Sequence, residues 1–361
     1  MVFCVMEEII DDDLMKIDQF FFDVFKYLNL IRHVNPTNVD LEKQRFFGEE
    51  IRNPVFEYKL PRINVGELRE ELKDLFIPDN NLGKVYEQVR RGLLKRCDII
   101  ESIGNDDSRV RDLTSEIYGW PSDSVVRYAK KLLLESSRED VRLNVSSEEV
   151  SKSLRDLLSR LGLNDWRVKY VKKWLTTTKH NKKICVCKKR TFSEGDVKRL
   201  AVHEVGVHAA RYANGYLQRL KIFIYGFPDF LKTEEGMATY FEELTGNSSI
   251  NVFRNYAGRV IAIDCLHREK DFRDCYLELV GYGFSFEDSW NLAVRVYRGG
   301  GFVKDHVYLE GYLMVKRFAE EGGDFKKLYV GKVGIEDLEF VDELLGKGWV
   351  REAMCLPEFV N

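Results

Sequence analysis

The strongest constraint in this chain is the run His203-Glu204-Val205-Gly206-Val207-His208, which sets two imidazoles five residues apart. Leu200, Ala201 and Val202 precede it and Ala209 and Ala210 follow, so the helix built here is apolar nearly all round. Such a helix is buried, and a buried His-Glu-His needs partners for its polar atoms. On a regular α-helix, positions i and i+5 lie roughly 140° apart around the axis, too far to serve one point. A one-residue π-bulge widens the turn and returns both to one face. The spacing therefore predicts a bulged or kinked helix over 205–207, with Gly206 lowering the steric barrier.

Two imidazoles and a glutamate on one helix resemble H-E-x-x-H, where the histidines bind zinc and the glutamate activates its water. Here the second histidine comes one residue late. A catalytic zinc takes three protein ligands plus water, so a third ligand is required. Thr233-Glu234-Glu235-Gly236-Met237-Ala238-Thr239-Tyr240 supplies the candidate, Glu235, with Thr233 as N-cap of a helix lined by Met237, Ala238, Tyr240, Phe241 and Leu244. Two acids in a first helical turn also simply complement the helix dipole. Against that reading, Glu235 lies 31 residues beyond Glu204 and is followed by Gly-apolar-Ala. That is the glutamate-zincin arrangement, whose third ligand is a glutamate on a later helix.

Composition narrows the class. The 361 residues are 44% hydrophobic and 32% charged, a globular mixture. Lys+Arg (56) nearly balance Asp+Glu (59) for a net charge of −3, without the basic excess of a general nucleic-acid binder. Seven cysteines, an odd number with no C-x-x-C pair, do not form a secreted disulfide framework. The acidic N-terminus lacks the basic n-region of a signal peptide, and no apolar run reaches membrane-spanning length. These features point to a soluble, cytoplasmic protein with reduced thiols and no membrane partner.

Hydrophobic spacing predicts a helix-rich α+β chain: a helical N-terminal portion, 1–160, packed on a catalytic core, 161–361, as one continuous domain. Helices are expected at 13–33, 65–76, 82–103, 108–118, 122–135 and, behind a Ser146/Glu149 capping box, 147–161. An irregular stretch spans 35–63. Alternating residues at 166–174 and 183–187 predict two antiparallel neighbouring strands joined through Lys179-His180-Asn181. Cys185 and Cys187 then share one buried face, and 183–187 serves as an edge strand for substrate. Ser193 caps a helix ending at Asn214-Gly215, and a second runs from Thr233 to Gly246. Further helices are expected at 252–268, 286–297, 306–321 and 336–345. His33, His180 and His267 have no motif around them.

The motifs together resemble a known family. Glu235-Gly236-Met237-Ala238 looks like the E-G-[apolar]-A of zinc aminopeptidases, and more closely like the bacterial and archaeal family named for its QEGLA motif. The eukaryotic relatives of that family are the microtubule-associated tyrosine carboxypeptidases, which remove the C-terminal tyrosine of α-tubulin. The resemblance rests on His203–His208, on Asn214-Gly215 with Gln218, on the Glu235 motif, and on Arg298-Gly299 with Phe302, Lys304-Asp305, Tyr308-Leu309 and Gly311. Weaker similarity at Tyr118-Gly119-x-Pro121 and Phe192-Ser193 extends it through most of the chain. Two positions depart from the motif: its Gln is Glu234 here and its Leu is Met237. The first puts an extra carboxylate beside the site.

The resemblance implies a zincin-like fold with a small sheet beside the metal-binding helix, and one Zn²⁺ per chain held by His203, His208 and Glu235. It makes Glu204 the general base and a peptide or protein C-terminus the substrate. A carboxypeptidase also needs a cation for the terminal carboxylate. Arg298 and Lys304 are the candidates, with Tyr308 or His306 donating to the oxyanion and glycines 299–301 forming a mobile loop over the site. The alternative is a non-catalytic zinc protein that binds a partner peptide. Glu204 favours the enzyme, because a binding protein has no need of a base beside its metal.

Overall fold

The computed structural model describes residues 12–59, 64–172, 177–179 and 181–360, and its architecture is helix-rich α+β. In the first third, apolar residues at helical spacing build Asp12–Tyr27, Leu30–Val34, Val39–Phe47, Val65–Asp74, Asn81–Ser102, Asp107–Tyr118 and Asp123–Glu135. Asn80, Asp106 and Ser122 each accept a backbone N–H three residues on, satisfying donors that the first turn leaves open. Ser146 and Glu149 form a reciprocal capping box ahead of Ser147–Arg160.

Two expectations change here. The helix expected at 13–33 is two helices, broken where Asn29 takes an extended conformation. The stretch from 35 onward contains a helix, Val39–Phe47, and acts as a clasp. Phe46 is buried with its ring centroid 5.4 Å from Phe272 and 5.0 Å from Tyr276, pinning this segment to the helices Phe272–Gly281 and Phe286–Tyr297.

The sheet has three strands, β1 (Arg167–Val171), β2 (Thr177–Lys179) and β3 (Lys183–Cys187), in the order β1-β3-β2. β1 pairs parallel to β3, from Arg167 opposite Lys183 to Val171 opposite Cys187. This corrects the expected antiparallel pair. The connecting segment is itself a strand, antiparallel to β3, so the chain reverses twice and β1 and β3 run the same way. β3 is therefore the central strand, and the edges belong to β1 and β2. Ile184, Cys185, Val186 and Cys187 are all buried, so both faces of β3 are covered, as suits a central strand. Trp174 and His180, placed by the sequence at a strand end and in a turn, lie outside the described residues.

One apolar cluster runs through both halves of the chain, with Leu14, Phe21, Tyr86 and Leu154 joining Val186, Val205, Phe223, Phe241 and Tyr329. A second gathers Ile261, Trp290, Leu309 and Tyr312. The helices Phe230–Leu244 and Val307–Glu320 cross between them at two glycines. A methyl group on Gly236 would stand 2.3 Å from the carbonyl of Gly311, and one on Gly311 would stand 2.1 Å from the Lys232 carbonyl oxygen. This backbone-to-backbone contact accounts for the glycines in both motifs. Gly311→Ala is expected to cost at least ~1–3 kcal/mol through overpacking, read as a lower urea midpoint. Gly346→Ala, with nothing within 4 Å of the added methyl, is expected to stay within ~0.5 kcal/mol of the parent. Among the described residues no helix is long and apolar enough to cross a membrane.

Candidate metal centre

The capping box of Ser193 and Asp196 starts a helix at Glu194, which passes at Ala201 into a π-helical segment, Ala201–Ala209, and returns to α-helix over Ala210–Tyr216. The i, i+5 spacing predicts this widened segment. The Tyr329 hydroxyl donates to the Gly206 carbonyl at 2.9 Å. Gly206 also makes room for the C-terminal segment, because a Cβ there would lie 2.7 Å from the Phe359 ring.

The helix ends at Tyr216, one residue beyond the expected stop at Asn214-Gly215. Both residues are buried within it: Asn214 accepts from the Cys355 amide at 2.8 Å and donates to its carbonyl at 2.9 Å, and Gly215 packs against the Phe223 backbone. The later helix likewise begins at Phe230, not Thr233, after Asp229 in the left-handed conformation (φ 58). Thr233 lies inside it and accepts the Ile335 amide. Glu234 and Glu235 thus fall beyond the first turn, only 3% and 7% exposed. Their carboxylates point into the protein rather than capping a helix end.

His203, His208 and Glu235 come together as a group able to hold a metal ion, their donor atoms all within 4.8 Å of one another. The two rings stand nearly perpendicular (82°) with centroids 4.7 Å apart. Each Nε2 lies 3.6 Å from Glu235 Oε2, an oxygen that is buried and has no hydrogen-bond partner. An orphaned carboxylate oxygen facing two imidazole nitrogens fits a dication.

The outer nitrogens are fixed as well. His203 Nδ1 is 2.7 Å from Glu242 Oε1 and His208 Nδ1 is 2.8 Å from Glu234 Oε1. Such carboxylates hold the proton on Nδ1 and leave Nε2 free to ligate. Burial alone would push both imidazoles down. The carboxylates of Glu235 and Glu242 facing it nevertheless raise His203 to about 10, and those of Glu234 and Glu235 raise His208 to about 9. The pocket thus favours positive charge where the metal would sit. Glu204, 5% exposed, contributes to that field at His203.

The extra carboxylate of Glu234 is balanced. Burial works against its charge, yet Arg211 and Lys332 hold its pKa at about 2. Arg211 is fully buried, pairs with Glu234, and donates to the carbonyls of Leu328, Gly331 and Val333. Arg199 does the same for Glu242, at 3.2 Å. The sequence reading missed Arg211, Lys332, Arg199 and Glu242. Glu242 follows Glu235 by two helical turns, and Arg211 follows His208 by three residues on the same helix. Those spacings were a signal, but one that many surface pairs share.

The candidate substrate residues part company. Lys304 Nζ lies 3.6 Å from Glu235 Oε1. The Tyr308 ring stacks on Tyr256 at 5.0 Å, and burial with the nearby Glu235 charge raises its pKa. Arg298 turns to Asn35, which accepts from Nη1 at 2.6 Å, and burial lowers its pKa to about 10. His306 is fully buried, with Nδ1 2.7 Å from the Val303 carbonyl and Nε2 3.1 Å from Glu310. The glycine run is a packed turn rather than an open loop. Gly299, Gly300 and Gly301 take φ of 71, 96 and 141, and side chains there would strike Val34, Asp107 and Arg111. The Gly299 amide donates to Tyr58 at 2.7 Å.

A mouse protein, "Putative tyrosine carboxypeptidase MATCAP2", is 25% identical over 350 residues, which is 93% of this chain; the chain spans 59% of the length of that relative. The solved structure titled "The crystal structure of the putative lipoprotein from Colwellia psychrerythraea" is similar at 13% identity and a TM-score of 0.40, covering 78% of this chain and 66% of that one. The family described as microtubule-associated tyrosine carboxypeptidase matches residues 44–361. The chain belongs to the microtubule-associated tyrosine carboxypeptidase family.

Proposed function

We propose that this chain is a zinc-dependent carboxypeptidase that removes a C-terminal residue, tyrosine by family, from a peptide or protein. Its core, 161–361, is zincin-like, and the helical portion 1–160 packs on it. The observation that carries the reading is the convergence of His203 Nε2, His208 Nε2 and the orphaned Glu235 Oε2 beside a buried Glu204. His203, His208 and Glu235 would hold one Zn²⁺. Zinc when bound supplies Lewis acidity and brings a water pKa towards ~7. Six described cysteines, all free and buried, support a reducing, cytoplasmic setting.

The chain's own groups do the remaining work. Glu242 and Glu234 keep the Nδ1 protons in place and orient both rings. Glu204 takes the proton of the attacking water and passes it to the departing amine. Lys304 faces the ligand Glu235 and balances its charge. Tyr308, four residues after Lys304, would offer its hydroxyl to the oxyanion.

A peptide ending in tyrosine, incubated with the purified chain and followed by mass spectrometry, is expected to lose 1 residue. Treatment with a chelator should stop the reaction and added zinc should restore it. Cleavage that survives removal of the metal, or cleavage only inside the peptide, would contradict the proposal.

A further inference from the structure

Arg259 belongs to no motif, yet it shows the chemistry of a carboxylate receptor beside the metal centre. It lies on the helix Ile250–His267, sharing one face with Asn255 and Tyr256. Its Nε donates to Asn255 Oδ1 at 3.0 Å. Its guanidinium sits over two rings, 4.9 Å from the Tyr256 centroid and 4.6 Å from that of Tyr308. Its Nη1 is buried and has no hydrogen-bond partner. Planar support on one side and an unused donor on another leave the fork positioned for a planar anion.

The surroundings are short of negative charge. Arg259, Arg295, Arg298 and Lys304 all act on a single buried acid, Asp305. Burial opposes its ionisation and these four cations outweigh it. Arg295 Nε pairs with Asp305 directly at 2.7 Å, and Lys304 is 3.6 Å from Glu235. Arg298 is turned to Asn35, its Nε also buried without a partner. Among the described residues, no carboxylate lies within ion-pair distance of Arg259 or Arg298. A buried charged donor left unmade is costly, and a ligand anion would complete it.

Position selects the anion. Lys304 Nζ lies 5.4 Å from the Tyr308 centroid and faces Glu235, so Tyr308 and Lys304 link Arg259 to the metal ligand. In a peptide, the terminal carboxylate lies one residue, ~3.8 Å of chain, beyond the last peptide bond. We infer that Arg259 binds the terminal carboxylate of the substrate, with Arg298 and Arg295 raising the local potential and Lys304 committed to Glu235. This rests on the peptidase reading above. It assigns the exopeptidase specificity to Arg259 rather than to the Arg298–Lys304 turn.

The test uses the zinc-loaded Glu204→Gln chain and a short N-acetylated peptide ending in tyrosine, as free acid and as C-terminal amide, titrated by calorimetry. The acid is expected to bind about 30-fold or more tighter, the range for loss of one partner of a buried charge pair. Arg259→Gln should abolish that preference by weakening only the acid, and Arg259→Lys should keep part of it. Zinc content and melting temperature should not change. Equal affinity for acid and amide in the Glu204→Gln chain overturns the inference, and so does an unchanged ratio in a folded, zinc-loaded Arg259→Gln variant. If Arg259→Gln fails to fold, the acid–amide ratio of the Glu204→Gln chain and its retention by lysine decide. Turnover by the unaltered chain separates the two claims. Equal cleavage of acid and amide would leave a peptidase without this site, whereas acid-selective binding without cleavage would leave the site without the peptidase.

Discussion

Glu204→Gln is expected to slow removal of a C-terminal residue by ~10²–10⁴-fold, the range for loss of a general base, while bound zinc and the unfolding midpoint stay at parent values. The amide fills the same volume at a position only 5% exposed but cannot take a proton from water. Stopped-time mass spectrometry at saturating peptide, with zinc measured on the same sample, checks the result. A rate within tenfold of the parent would mean that another group accepts the proton.

Arg211→Met is expected to lower stability by ~3–5 kcal/mol, the usual effect of removing one partner of a buried ion pair. Arg211 has no exposed surface. Its loss strips donors from the Leu328, Gly331 and Val333 carbonyls and leaves Glu234 with Lys332 as its remaining nearby cation. Because Glu234 orients His208, zinc affinity should fall ~10–100-fold as well. Adding Glu234→Gln, the residue of the family motif, removes the stranded charge and should return part of the lost stability. Urea unfolding of the parent, the single and the double variants measures this coupling. A double variant no more stable than Arg211→Met would show that the lost carbonyl bonds, not the charge of Glu234, set the cost.

Much of the centre was legible because it follows from local geometry. Two histidines at i and i+5 on an apolar helix require a π-helical turn, and the structure has one at Ala201–Ala209. Glu235 was marked by its Gly-apolar-Ala neighbours. The residues around them were not legible: Glu242, Arg199, Arg211 and Arg259 look like ordinary helix-surface charges until tertiary packing buries Glu242 and Arg211 and half-buries Arg199 and Arg259. Asn214-Gly215 reads as a helix stop because those residues favour turns. The helix does end close by, at Tyr216, and Asn214 also serves the Cys355 backbone from its last turn, a long-range role the local signal does not show. In the sheet, Thr177 and Thr178 carry the β-branched preference of a strand. Leaving them unassigned in the connection, with a turn at Lys179-His180-Asn181, hid β2, made β1 and β3 antiparallel and moved β3 to an edge. A missed 3-residue strand therefore reversed a pairing.

Zinc stoichiometry tests the central claim most directly. Elemental analysis of the purified chain beside His208→Ala and Glu235→Ala, each verified as folded by circular dichroism, should give about one zinc per chain in the parent and a small fraction of that in either variant. No metal in the parent after equilibration with zinc, or a full equivalent retained when His208 or Glu235 is removed, would contradict the account.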